Sequence, residues 1–125
     1  MLAVPEIVLV VDDDAAVRAA LKFALEVEGF RVQLYDSPEA VLADTNLPKR
    51  GCLVIDYRMP GIDGIELVER LRERNVALPA ILISGRVNNQ LRLLAARSGL
   101  ARVLEKPLSD AALVENIRTA LGLAA

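Results

Sequence analysis

Five short apolar runs punctuate the chain, and the residue at or just after the end of each is polar. They are Ile7 to Val11 before Asp12, Arg31 to Tyr35 before Asp36, Cys52 to Ile55 before Asp56, Pro79 to Ser84, and Arg102 to Glu105 before Lys106. The run Cys52 to Ile55, continuous rather than alternating and flanked by Gly51 and Pro60-Gly61, predicts a strand buried on both faces, the pattern of a parallel sheet, and the other runs read as further strands. Between them the apolar spacing becomes helical. Val17, Leu21 and Ala24-Leu25 mark a helix over Ala15 to Glu28, with Asp14 as N-cap and Gly29 as stop. Ser37-Pro38-Glu39 opens a brief helix ending near Asp44, followed by a loop from Leu47 to Gly51. Asp63 caps a third helix, with Ile65, Val68 and Leu71 on one face and Glu66, Glu69, Arg70 and Glu73 on the other. A fourth, from about Asn88 to Ser98, turns Leu91, Leu94 and Ala95 inward and Arg92 and Arg97 outward, and Ser109-Asp110 caps a last helix bearing Leu113, Ile117 and Leu121. Five strands alternating with five helices predict an α/β fold whose parallel sheet is covered on both faces.

Composition narrows this picture. The 125 residues suit one domain over 1–125 with a single core. With 54% hydrophobic but only 3% aromatic residues, that core is built from Val, Leu, Ile and Ala. Fifteen basic against 17 acidic residues give a net charge of −2, so no global field draws the protein to nucleic acid or to a membrane. No apolar run approaches transmembrane length and no basic segment precedes an apolar one at the N-terminus, so a cytoplasmic protein is expected. Cys52 is the single cysteine, which excludes an internal disulfide and a cysteine metal cluster, and it reads as a small core residue. The absence of histidine excludes a serine triad, a His-ligated metal and imidazole acid/base chemistry.

What remains is chemistry on Asp, Ser, Lys and a hard cation. Ligands of open α/β sheets gather outside the carboxyl ends of the strands, and the alternation delivers polar groups there from four strands. These are Asp12-Asp13 after the first, Asp56 after the third, Ser84 after the fourth and Lys106 after the fifth. Taken one at a time each has a plain structural reading: Asp56 as the start of the turn into Pro60-Gly61, Asp12-Asp13-Asp14 as a solvated helix start, Ser84-Gly85 as a turn, Lys106-Pro107 as a surface break. Taken together, three converging carboxylates repel unless a divalent cation with oxygen ligands, most simply Mg2+, lies among them. Lys106 and Ser84 supply a point charge and a hydroxyl donor for an anion. A carboxylate beside such groups suits in-line attack by Asp56 on phosphorus, giving an aspartyl phosphate.

The ordered set Val10-Val11-Asp12-Asp13-Asp14, Val54-Ile55-Asp56-Tyr57-Arg58-Met59-Pro60-Gly61 with Asp63-Gly64, Ile83-Ser84-Gly85 and Glu105-Lys106-Pro107 resembles the receiver domain of bacterial two-component response regulators over nearly the whole chain. It is similar to chemotaxis receivers and, more so, to receivers of nitrogen-fixation-type transcription regulators, which precede a helix-turn-helix output domain. The resemblance implies a flavodoxin-like, doubly wound sheet in the order 2-1-3-4-5 with five helices. It implies Asp56 as phosphoacceptor and Asp13 and Asp56 as side-chain Mg2+ ligands, with Asp12 acting through water and Arg58 through its backbone carbonyl. Ser84 and Lys106 would hold the phosphoryl oxygens, and the Lys106-Pro107 bond would be cis. The implied donor is a phosphohistidine on a sensor histidine kinase or phosphotransfer protein. The chain would be an enzyme only in modifying and resetting itself, and the output domain would be C-terminal or separate, with no direct contact to nucleic acid or membrane.

Two features depart from or elaborate that pattern. Receivers usually carry Tyr or Phe three residues before the Lys-Pro lysine; here Val103 stands there, too short and without a ring to swing, so weak switching, or switching through backbone and helix shifts near Arg86 to Arg97, is expected instead. Arg58 and Arg86 stand two residues beyond Asp56 and Ser84, where they would cover a phosphoryl group and alter its lifetime. Arg86, Arg92, Arg97 and Arg102 concentrate positive charge near the fourth helix and fifth strand, where a homodimer facing Glu105, Asp110 or Glu115 on the fifth strand and fifth helix is a further expectation. Tyr57 reads as a packing residue and Met59 as a gap-filler. Two rival readings are a partner-binding module that is never phosphorylated, and a haloacid-dehalogenase-type phosphatase using Asp12 and Asp14, against which Ala16 breaks the motif and Asp56 has no role.

Overall fold

The computed structural model describes residues 5–123, so the ends of the expected 1–125 unit lie outside the described residues. Five strands and five helices alternate: β1 (Ile7–Val11), α1 (Ala15–Val27), β2 (Arg31–Tyr35), α2 (Pro38–Ala43), β3 (Cys52–Asp56), α3 (Gly64–Glu73), β4 (Ala80–Ser84), α4 (Asn89–Arg97), β5 (Arg102–Glu105) and α5 (Asp110–Ala120). The strands form one parallel sheet in the order β2-β1-β3-β4-β5, as the resemblance implied. The helices begin where side-chain oxygens can accept their free N–H groups: Asp14, Ser37, Asp63, Asn88 and Ser109 each cap a helix.

The two faces of the sheet carry separate cores, split by the two-residue period of the strands. Val8, Val10, Cys52, Val54, Ile81 and Ile83 pack with Leu25 of α1 and Leu113, Val114 and Ile117 of α5. Leu9, Val11, Leu53, Ile55, Ala80 and Leu82 pack with Val41 of α2, with Ile65, Leu67, Val68 and Leu71 of α3, and with Leu91 and Ala95 of α4. Both parities of β1, β3 and β4 are therefore apolar, which is why these three read as continuous runs, whereas the edge strands β2 and β5 are part-exposed. Each fully buried aliphatic side chain contributes about 1.5–3 kcal/mol.

Three expectations shift at the edges of elements. The fourth strand begins at Ala80 rather than Pro79, because proline has no N–H for the ladder, although its carbonyl accepts from Leu53 N at 2.8 Å. Glu28, Ser98 and Leu121 are C-caps rather than helical residues, and Asn88 is the N-cap of α4 rather than its first residue. Leu94, expected inward, is 44% exposed: Leu91 and Ala95, four apart, define the buried face of α4, and Leu94 is turned away from it.

Candidate functional site

The register sets the rim of the sheet. Val11 pairs with Ile55, so Asp12 emerges from β1 beside Asp56 at the end of β3, and Ser84 pairs with Glu105, so Lys106 follows next to it. Backbone bonds carry the ladder past the strands: Asp12 N donates to Tyr35 O at 3.1 Å, Tyr57 N to Ile83 O at 2.8 Å and Lys106 N to Ser84 O at 2.8 Å. Four separate segments are thus held rigidly at one edge. The Lys106-Pro107 peptide bond is cis.

At this rim, oxygens of Asp12, Asp13 and Asp56 all lie within 4.8 Å of one another. Asp12 is 5% exposed, Asp56 is half-buried and Asp13 is exposed. Asp14 N donates to Asp12 Oδ1 at 2.9 Å, and Arg18 of α1 donates to the Asp12 carbonyl at 2.8 Å, so the acidic loop is fixed from two sides. Burial raises the Asp12 carboxyl above the ordinary aspartate range; the Asp14 amide opposes this, while Asp56 and Asp13 push it further up. Lys106 Nζ donates to Asp56 Oδ1 at 2.9 Å. Burial alone would lower the Lys106 ammonium, but its hydrogen bond to Asp56 and the field of Asp56, Asp12 and Asp13 outweigh that, and its pKa is raised. One ammonium against three carboxylates leaves the cluster electron-rich. Its all-oxygen donor set in so small a space fits a hard divalent cation, and the cluster could hold a metal ion.

The glycine that follows Asp63 explains how β3 and α3 meet so closely here. A Cβ on Gly64 would lie 2.7 Å from Leu82 Cδ1 and 2.9 Å from both the Asp56 carbonyl and Ile55 Cγ2. Gly64 N also donates to Tyr57 O at 2.9 Å, closing the loop that starts at Asp56. Gly61, with φ +86°, makes the turn within it.

A cleft of about 360 Å³ opens beside Asp56, lined by Arg58, Ser84, Gly85, Arg86 and Lys106. Arg58 and Arg86 also line an adjoining 260 Å³ pocket, with Tyr57, Asn88, Gln90, Leu91 and Leu94. The Arg58 guanidinium lies 5.5 Å from the centroid of the Tyr57 ring, and Tyr57 packs on the core, as Met59 does beneath the loop. The structure thus brings together Asp12, Asp13 and Asp56 in one cluster and Asp56, Arg58, Ser84, Arg86 and Lys106 around one cleft. Val103 lies elsewhere, in a groove between α4 and β5 with Arg92, Ala95, Ala96, Leu100 and Arg102.

Two contacts were not foreseen. The Ser84 hydroxyl donates to Arg86 O at 2.9 Å and accepts from Arg86 N at 3.3 Å, so in this conformation it serves its own loop. Glu105 Oε2 accepts from Val87 N at 2.8 Å. Asp14, the expected N-cap, accepts from Ala16 N and Val17 N through the single oxygen Oδ1 at the start of α1. The Ser84 and Glu105 contacts depend on loop rotamers that no sequence spacing encodes.

Comparison with known proteins agrees with this geometry. The family model described as the response regulator receiver domain matches residues 8–118. The transcriptional regulatory protein FixJ of Azorhizobium caulinodans is 43% identical over 117 residues, covering 93% of this chain and 55% of that protein. The C4-dicarboxylate transport transcriptional regulatory protein DctD of Pseudomonas aeruginosa is 42% identical over 116 residues, 91% of this chain and 25% of that one. The crystal structure of FixJ-N superposes with a TM-score of 0.87 at 35% identity, covering 98% of this chain and 99% of that one. The chain spans about half the length of the FixJ proteins it matches. A five-stranded sheet of this order, the acids gathered at its rim and the family match together place the chain in the response regulator receiver family of two-component signalling systems.

Proposed function

We propose that residues 1–125 form one receiver domain that accepts a phosphoryl group on Asp56. The observation that carries this is the junction of the Asp12, Asp13 and Asp56 cluster with Lys106, whose Nζ lies 2.9 Å from Asp56 Oδ1. An Asp56 carboxylate oxygen attacks the phosphorus of a phosphohistidine on a sensor kinase or phosphotransfer protein, the P–N bond breaks, and the imidazole leaves with the electron pair. Lys106, freed from its contact with Asp56, pairs with the phosphoryl oxygens, and Ser84 donates its hydroxyl to another. Mg2+ held by Asp13 and Asp56, by Asp12 through water and by the Arg58 carbonyl would supply further neutralisation of the transferring group. The domain is a cytoplasmic switch and an enzyme only toward itself; hydrolysis of the acyl phosphate resets it. Its output passes to a C-terminal or separate domain, with no contact of its own to nucleic acid or membrane. Among the described residues no helix is long and apolar enough to cross a membrane.

Arg58 and Arg86 flank the cleft without a salt bridge among the described residues, and they shield the phosphoryl group from water. Val103, packed on the α4 side of the sheet, replaces the usual aromatic, so switching proceeds through the loop and α4 rather than a ring. A homodimer through α4, β5 and α5 reads the result, with Arg92, Arg97 and Arg102 facing acids of the second copy.

The test is to incubate the protein with Mg2+ and an acyl phosphate, reduce the product with borohydride, and map the resulting homoserine. Modification at Asp56, abolished in Asp56→Asn, is expected; modification at Asp12 refutes the assignment, and none at all supports the partner-binding module. Slower loss of phosphate from wild type than from Arg58→Ala or Arg86→Ala is expected, and equal rates refute the shielding. Light scattering that finds a monomer with and without a phosphoryl mimic refutes the dimer.

A further inference from the structure

A serine hydroxyl has one proton to donate. Ser84 gives it to the carbonyl of Arg86 at 2.9 Å, and the amide of Arg86 returns a longer bond to Ser84 Oγ at 3.3 Å. Phosphoryl oxygens on Asp56 are acceptors, so Ser84 can serve them only by releasing Arg86 O. The hydroxyl can turn about its own C–O bond, but that leaves the Arg86 carbonyl without its donor, so release is cheaper when the β4–α4 loop carrying that carbonyl is free to move. The loop is short: Ser84 ends β4, and Asn88 already caps α4 by accepting from Leu91 N at 2.8 Å. Between these fixed points one side chain holds the loop from outside. Glu105 Oε2 accepts from Val87 N at 2.8 Å, the amide next to Arg86.

The base of this strut is rigid. Glu105 is the register partner of Ser84, and the residue after it, Lys106, donates its amide to Ser84 O at 2.8 Å. Among the described residues, Glu105 is the one side chain of β5 that hydrogen-bonds to the loop. It stands two residues after Val103, at the strand that lacks a swinging ring.

We infer that Glu105 is a positioning residue: through Val87 N it holds the β4–α4 loop in the arrangement that commits the Ser84 hydroxyl to Arg86, and so opposes capture of a phosphoryl group on Asp56. The inference rests on Asp56 being the phosphoacceptor. Glu105 does not touch the transferred group. It sets how often the loop visits the conformation in which Ser84 is free, and the apparent affinity for a phosphoryl mimic scales with that fraction.

The experiment titrates fluoroberyllate with Mg2+ into wild type, Glu105→Ala and Glu105→Gln, with calorimetry for affinity and amide NMR for Val87. Removing a negative charge next to Lys106 would by itself favour an anion, and both variants share that effect. Only alanine also loses the acceptor, since the glutamine carbonyl can still take the Val87 N–H. Glu105→Ala is therefore expected to bind about 3–10-fold more tightly than Glu105→Gln, the span that one net hydrogen bond commands. The Val87 amide resonance should move in the alanine variant and stay near its place in the glutamine variant. The gap should persist at high salt, where the charge effect is screened. Equal affinities of the two variants, or weaker binding by Glu105→Ala than by wild type, overturn the inference. A purely structural role for Glu105 would lower the unfolding midpoint without raising affinity, and that result also overturns it. Wild type that fails to bind fluoroberyllate at Asp56 overturns the phosphoacceptor reading and this inference with it.

Discussion

Replacing Asp12 by Asn should make the metal-free protein more stable while weakening its response to Mg2+. Asp12 is 5% exposed and shares a space no wider than 4.8 Å, oxygen to oxygen, with Asp13 and Asp56. Two unit charges at that distance repel by about 3 kcal/mol at an effective dielectric constant of ~20. Lys106 offsets part of this, because its ammonium lies 2.9 Å from Asp56 and attracts Asp12 as well. The asparagine oxygen can keep the bond from Asp14 N, so the loop loses a charge while this hydrogen bond is retained. A net gain of about 1–2 kcal/mol is expected at neutral pH, or about 4–8 °C in Tm for a domain of this size. The sign with pH follows from the raised carboxyl of Asp12. A group that holds its proton more tightly when folded stabilises the fold at low pH, and that support is lost as pH rises from the ordinary aspartate value through the raised one. The advantage of the variant should therefore appear over that interval and level off above it. The assay is thermal unfolding by circular dichroism in EDTA and again in excess MgCl2. Ligand at tenfold its Kd adds about 1.4 kcal/mol to wild type, and the variant should gain less. A variant less stable than wild type in EDTA, or with an undiminished Mg2+ shift, refutes the idea that charge repulsion dominates this site.

Gly64→Ala should cost about 2 kcal/mol or more by chemical denaturation, since its Cβ would lie 2.7–2.9 Å from Leu82 Cδ1, Ile55 Cγ2 and the Asp56 carbonyl; a cost below about 0.5 kcal/mol would mean the loop relaxes freely. Cys52, fully buried with its thiol pushed up to about 12 by desolvation, should resist a disulfide reagent in the native protein and react at once in denaturant; rapid native labelling would show that β3 opens readily. Tyr35→Phe removes a 2.7 Å bond to Asp44 Oδ2 and should cost about 1 kcal/mol near neutral pH. Burial and Asp44 raise the Tyr35 phenol, so its support is present below the ordinary value of about 10 and fades as pH rises beyond it; a wild-type advantage that grows in alkali would contradict the assignment.

The sequence by itself determined the architecture and which polar residues stand at the rim of the sheet. The central strands β1, β3 and β4, with both parities apolar, must be buried on both faces, which demands a parallel sheet between two helical layers, and the polar residue ending each run is then carried to one rim by the chain's own direction. The caps at Asp14, Ser37, Asp63 and Ser109 were equally legible, because a capping side chain acts on backbone two or three residues away. Contacts that join distant segments were decided only by the tertiary structure. That Lys106 reaches Asp56 across 50 residues, that burial raises the Asp12 carboxyl, and that Gly64 leaves room for the Asp56 carbonyl all depend on strand register and helix approach. Ser84 shows the limit most clearly. Its place at the rim follows from the end of β4, but its hydroxyl faces Arg86, and the loop that holds it there is tied by Glu105 from another strand. A rotamer is chosen by whatever surrounds it in space, and in a parallel sheet those neighbours come from other strands.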